Sequence, residues 1–209
     1  MTADAVHLAR FKTDLLALTP EDIFARYIAP DTCMGLTNVD ERSLRARIAE
    51  RFEIELASVI IVGSAKLGFT LTHKKAASEG DQDRPPFSPF SENSDVDVAI
   101  VSDHLFDSIW KRCFEFWHSS GYGRSDGYWP RGKHFRDYVF RGWMRPDHLP
   151  SEGSFTYKSE WFDFFRLLTS ERAAGDYKVT AGLYREAYFL KAYQQIAITD
   201  CKAGVGTGL

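Results

Sequence analysis

Val59-Ile60-Ile61-Val62-Gly63-Ser64 and, further along, Ser94-Asp95-Val96-Asp97-Val98-Ala99-Ile100-Val101 set two apolar runs against a Gly-Ser turn and a pair of acids. Each run has the length and β-branched composition of a buried strand. Side chains alternate faces along a strand, so Asp95 and Asp97 leave one face while Val96, Val98 and Ile100 leave the other. Two carboxylates side by side repel one another unless a proton or a hard cation lies between them. Oxygen ligands of this kind suit magnesium or manganese.

The Gly-Ser turn supplies the complementary chemistry. Gly63 permits a tight turn and close backbone approach, and Ser64 offers an amide and a hydroxyl to a phosphate oxygen. The segment Ala65 to Leu71 reads as the start of a helix whose free amides favour the same anion. Either half alone is common: a Gly-Ser after a strand is usually a turn, and Asp-x-Asp at a strand start is usually solvated.

In this order, with strand, turn, helix and strand around them, the two motifs resemble the nucleotidyltransferase superfamily that includes DNA polymerase beta, the poly(A) polymerases and the minimal bacterial nucleotidyltransferases. The resemblance covers roughly residues 40 to 119. It implies a polymerase beta-like fold in which Gly63 and Ser64 bind the triphosphate, with Lys66 and Ser94 as further nucleotide contacts. Asp95 and Asp97 are then the catalytic and metal-binding acids, holding Mg2+ or Mn2+. The implied partners are ATP or another nucleoside triphosphate and a hydroxyl acceptor: an RNA end, a protein, a small molecule or another nucleotide. A stand-alone chain of this size is most similar to the bacterial forms. Two features depart from the family. Residues 72 to 93 form a polar, Pro-containing insert, and no later strand shows the third carboxylate in a clear alternation. Asp163, Asp176 and Glu186 are the options, and Asp176 and Glu186 are preferred because they flank Tyr177 to Leu183, the most strand-like stretch of the second half. Without a third acid, the alternative is a catalytically inactive nucleotide-sensing or partner-binding module of the same fold.

At 209 residues and 44% hydrophobic, the chain has material for one sizeable core. Its net charge of -3 gives no global attraction to nucleic acid or acidic lipid, so polyanion binding has to rely on a local patch. Cys33, Cys113 and Cys201 lack C-x-x-C spacing and fit a reducing cytoplasm better than a zinc knuckle or a disulfide framework. The N-terminus lacks a basic region followed by an apolar core, and no run approaches the roughly 18 apolar residues of a spanning helix. The expectation is a cytoplasmic protein with no membrane partner. The six histidines show no paired spacing for a zinc hydrolase, and Gly63-Ser64-Ala65-Lys66 fits neither a hydrolase elbow nor a P-loop.

The expected fold class is α/β (α+β): a small mixed sheet carrying the Gly-Ser and Asp-x-Asp motifs, flanked by helices, with additional N- and C-terminal helices. Residues 1 to 39 read as an N-terminal helical extension, and 40 to 209 as the nucleotidyltransferase-like domain, with the insert at 72 to 93 and a helical C-terminal part at 130 to 200. Thr19-Pro20-Glu21-Asp22 is a helix start, Asp40 is placed to cap a helix through Leu44, Ile48 and Phe52, and Ser102-Asp103 to cap one from Leu105 to Trp117. From Tyr128 to Arg145, Arg and Lys interleave with aromatics. That pattern suits either a stacking and phosphate-binding wall or a helix from Lys133 to Met144 with its aromatics inward. Pro146 to Pro150 reads as a hinge, and helices are expected from Trp161 to Leu168 and from Leu183 to Ile198. Lys178, Arg185 and Lys191 are the basic residues of this half placed to meet a triphosphate, and Cys201 to Leu209 reads as a loose tail.

Overall fold

The two apolar runs are strands β1 (Val59–Val62) and β2 (Asp95–Val101) in the computed structural model, which describes residues 3–75, 83–119, 129–151 and 155–206. They pair antiparallel, with Val62 opposite Asp97 and Val59 opposite Ile100. Two further strands extend the sheet. β3 (Trp143–Met144) is short, and β5 (Lys178–Tyr184) follows the extended segment β4 (Ala173–Asp176). The order is β1-β2-β5-β3, with β2 and β5 parallel and β5 and β3 antiparallel. This is the small mixed sheet of an α+β fold, carrying both motifs on adjacent strands.

Period-two alternation gives the sheet two different faces. Val59, Ile61, Val96, Val98, Ile100, Val179, Leu183 and Met144 point into the main core. That core is completed by α3 (Asn38–Phe52), α5 (Asp103–Ser119) and α7 (Tyr157–Ser170), through Leu44 and Ile48, Phe106 and Ile109, and Phe165 and Leu168. Burial of such side chains stabilises the fold by about 1.5–3 kcal/mol each. On the opposite face, Val62, Ala99 and Tyr184 pack with Leu190 of α8 (Ala187–Gly206). α8 covers only part of this face.

The N-terminal helices are tied into the molecule by α8. Phe11 and Leu15 of α1 (Ala3–Ala17), Ile23 of α2 (Pro20–Ile23) and Ile28 share a buried cluster with Leu67, Phe69, Ile198 and Cys201. Residues 201 to 206, expected as a loose tail, are therefore helical, with Cys201 buried and its thiol pKa pushed up to about 11 by desolvation. Three other expectations need correction. Thr37, not Asp40, caps α3, its hydroxyl accepting from the Asp40 amide at 3.1 Å. The helix expected through Met144 is α6 (Gly132–Phe140), which stops before Gly142, a residue in the left-handed region at φ 63° that turns the chain into β3. The stretch from 130 to 200 is thus not wholly helical, since it contributes β3, β4 and β5, and Leu183 and Tyr184 end a strand rather than begin a helix. Among the described residues no helix is long and apolar enough to cross a membrane.

Candidate functional site

Where α8 leaves the sheet uncovered, the motif residues meet. β1 delivers the chain to Gly63 beside Asp97, because Val62 and Asp97 are register partners. Gly63 has φ 68°, and a β-carbon built on it would lie 2.9 Å from Asp97 Oδ2. The turn and the acid therefore form one continuous wall that only glycine permits. Ser64, the second residue of the short α4 (Gly63–Leu67), is 2% exposed, and its Oγ is buried with no hydrogen-bond partner. A buried hydroxyl left unpaired costs free energy, which a ligand oxygen placed there would recover. α4 is too short for a strong dipole and ends at Gly68, so the anion-binding helix expected through Leu71 does not form.

Asp97 is the less open, half-buried member of the acidic pair. Desolvation raises its pKa; the hydrogen bond from Thr180 Oγ1 to Oδ1 at 2.7 Å, together with Lys74 and Lys178, opposes that rise, and neighbouring Asp95 adds to it. Asp95 is more open and lies 3.8 Å from Lys178 Nζ. The residues facing the pair from β5 are set by the parallel register, Asp95 with Lys178 and Asp97 with Thr180. β5 therefore offers an ammonium and a hydroxyl where a third acid was sought.

Gly63, Ser64, Asp97, Lys178 and Thr180 line a cleft of about 980 Å³, within the ordinary range for a ligand site, and Asp95 adjoins it beside Lys178 without lining it. Lys74 and Lys178 line it and act on Asp97, and Arg145, Trp143, Tyr184, Tyr193 and Gln194 line it as well. The aromatic wall is ordered by its own packing: Trp143 stacks on Tyr184 at 5.7 Å with planes 3° apart and meets Tyr193 at 4.6 Å. The Arg145 guanidinium lies over Trp143 at 5.8 Å and is held by Asp147 at 3.0 Å. Of the interleaved basic and aromatic segment, Trp143 and Arg145 reach the cleft, whereas Trp129 and Phe135 are buried in the core.

Several residues expected at the site are elsewhere. Lys66 is 3% exposed and donates to the Pro30 carbonyl, with burial lowering its pKa. Two residues beyond Ser64 on a helix it points to another side, away from the cleft. Ser94 Oγ accepts from Arg84 at 2.9 Å and from the Ser91 amide at 3.0 Å, so it pins the returning limb of the insert rather than a nucleotide. The middle of that insert, residues 76–82, lies outside the described residues. Asp176 is exposed and paired with Arg172 at 3.2 Å, and Asp163 pairs with Arg166 on α7. Glu186 pairs with Arg185 at 2.9 Å beyond the end of β5, which runs four residues past Thr180, so it lies at the opposite end of the strand from Asp95 and Lys178. Arg185 is also engaged by Asp107 and Lys191 by Glu21, which leaves Lys178 as the one of the three named lysine and arginine candidates that lines the cleft.

Sequence reasoning missed Thr180 and Lys74. The signal for Thr180 was present, since Lys178 and Thr180 alternate along β5 as Asp95 and Asp97 do along β2. Among the described residues no three His, Cys, Asp or Glu side chains cluster closely enough to hold a metal by themselves. Asp95 and Asp97 nevertheless fit one hard cation. The half-buried Asp97 carboxylate has a raised pKa that Lys74 and Lys178 only partly offset and one oxygen against Gly63, and magnesium needs only one or two carboxylates when phosphates complete its shell. The chain matches no protein-family model, no curated protein and no solved structure. What the site does is therefore read from its own residues.

Proposed function

We propose that the cleft holds a nucleoside triphosphate with a divalent cation, and that the chain is a metal-dependent nucleotidyltransferase passing the nucleoside monophosphate to a hydroxyl acceptor. The observation that carries this reading is the close approach of Gly63 to the Asp97 carboxylate, which supports a phosphate-binding turn and a metal-binding acid in a single wall. Ser64 supplies the unpartnered hydroxyl beside it, and Lys74 and Lys178 supply positive charge in the same cleft. Asp95 and Asp97 would hold magnesium or manganese, which neutralises the triphosphate and stabilises charge developing at the α phosphorus. Lys74 and Lys178 orient the outer phosphates. Tyr193, 42% exposed and backed by Trp143 and the buried Tyr184, gives a base a ring to stack on. The acceptor oxygen bonds to the α phosphorus, the bond to the bridging oxygen breaks, and pyrophosphate leaves.

A second reading is favoured by one observation: β5 presents Lys178 and Thr180, not an acid, to the pair. A site without that acid is suited to hold a nucleotide as a sensor and not to transfer it. Labelled nucleoside triphosphates with magnesium or manganese separate the two. Transfer predicts labelled product that vanishes in Asp95→Asn/Asp97→Asn; binding without product in any acceptor mixture supports the sensor, and product persisting in the double variant refutes the assignment of these acids.

Ser64→Ala isolates the phosphate contact. Because Oγ has no partner, its loss is expected to leave the melting temperature within about 2 °C, as for a change of about 0.5 kcal/mol. Nucleotide affinity should fall about tenfold, the worth of one charge-assisted hydrogen bond. Calorimetric titration checks the second effect, and unchanged affinity would remove Ser64 from the site.

A further inference from the structure

We propose that Lys178 stands in for a second divalent cation, so that the site works with one metal ion and one protein ammonium over the triphosphate. This rests on the reading of the cleft as a nucleotide site. Three observations converge on it. The parallel register places the side chains at 178 and 180 on the same face as Asp95 and Asp97. Lys178 Nζ lies 3.8 Å from Asp95 Oδ2, and Lys178 is a lining residue of the cleft, so its ammonium reaches both the acid and a ligand. Thr180 takes Asp97 Oδ1 in a 2.7 Å hydrogen bond, which leaves Oδ2, the oxygen against Gly63, as the atom free for a cation.

Charge balance explains why a lysine suits this position. An acid at 178 or 180 would complete a cluster of three carboxylates, whose mutual repulsion calls for two divalent ions. Two acids with one divalent ion and one ammonium leave the same surplus of a single positive charge to face the phosphates. The ammonium is covalently tethered, so that part of the field needs no free metal. Such a site should bind nucleotide at lower metal concentrations than one that must recruit two ions, and its affinity should depend on the charge at position 178.

Counting bound manganese tests this without reference to catalysis. The full chain is titrated with Mn2+ in the presence of a non-hydrolysable nucleoside triphosphate analogue, and free Mn2+ is followed by electron paramagnetic resonance. One nucleotide-dependent Mn2+ per chain is expected for the wild type. Lys178→Glu should bind two, and Lys178→Met should keep one while analogue affinity falls about tenfold. Lys178 is a largely exposed side chain, 67% accessible, so both variants should fold, which a thermal melt verifies. Two Mn2+ in the wild type, or a count and an affinity that ignore position 178, would overturn the proposal while leaving the nucleotide site standing. If the analogue induces no Mn2+ binding in the wild type, the nucleotide reading falls and this one with it.

Discussion

Asp97→Asn is expected to melt higher than the wild type and to lose metal-dependent nucleotide binding. The carboxylate is half-buried, desolvation raises its pKa, and at neutral pH its charge has one hydrogen-bonding side chain, Thr180, against it. Asparagine keeps the acceptor for Thr180 and removes the half-buried charge. Relief of such a functional strain is worth about 1 kcal/mol, or about 3 °C for a chain of this size. Binding should move the other way, falling about a hundredfold or more, because Asp95 alone would hold the cation. Thermal melts with and without magnesium and nucleotide read both effects at once, since a ligand raises apparent stability only by binding the folded form. A variant that melts lower than the wild type yet retains the full ligand-induced rise would contradict the role given to this acid.

Gly142→Ala should be the most damaging single methyl in the protein. Gly142 has φ 63°, and a β-carbon there would lie 2.2 Å from Phe189 Cγ. The turn is also fixed by hydrogen bonds from the Gly142 amide to Val139 and from the Arg185 amide to Gly142, each 2.9 Å, so it has little room to yield. Left-handed strain of about 1–2 kcal/mol adds to about 1–3 kcal/mol of overpacking. The sum, about 2–5 kcal/mol, lowers the melting point by about 10 °C. In a Phe189→Ala background the clash is gone, and the same glycine substitution should cost only the backbone strain, about 1–2 kcal/mol. Urea unfolding of the four variants measures this coupling, and strict additivity would show that Phe189 is not what the methyl meets. Because Trp143 follows directly, nucleotide affinity should fall with stability.

The parts of this fold that announce themselves in sequence are those whose physics is local. β1 and β2 are β-branched runs of strand length, and α5 carries an apolar stripe with Ser102 as its cap, accepting from the Leu105 amide at 3.2 Å. The Gly63 turn and the shared face of Asp95 and Asp97 follow from a glycine and from period two. What was not legible depends on contacts between distant segments. Whether Lys66 points toward the cleft or toward Pro30 is set by the short α4 and by the loop after α2. Whether Asp176, Glu186, Lys178 or Thr180 meets the acids depends on a parallel register that no local pattern announces. Helix α6 was readable, but its end was not, because Gly142 stops it through Phe189, forty-seven residues further on.

That register also governs when the protein becomes competent during synthesis. Asp97 and Thr180 are 83 positions apart, so β2 leaves the ribosome with one flank bare until β5 has followed it. Until then the backbone edge of β2 that pairs with β5 is open to other strands, and such non-local pairing is intrinsically slow. A nascent chain stalled before residue 178 should therefore be a client for chaperones, whereas one extended past Tyr184 gains the Lys178 and Thr180 side of the cleft and loses its sticky edge in the same folding event.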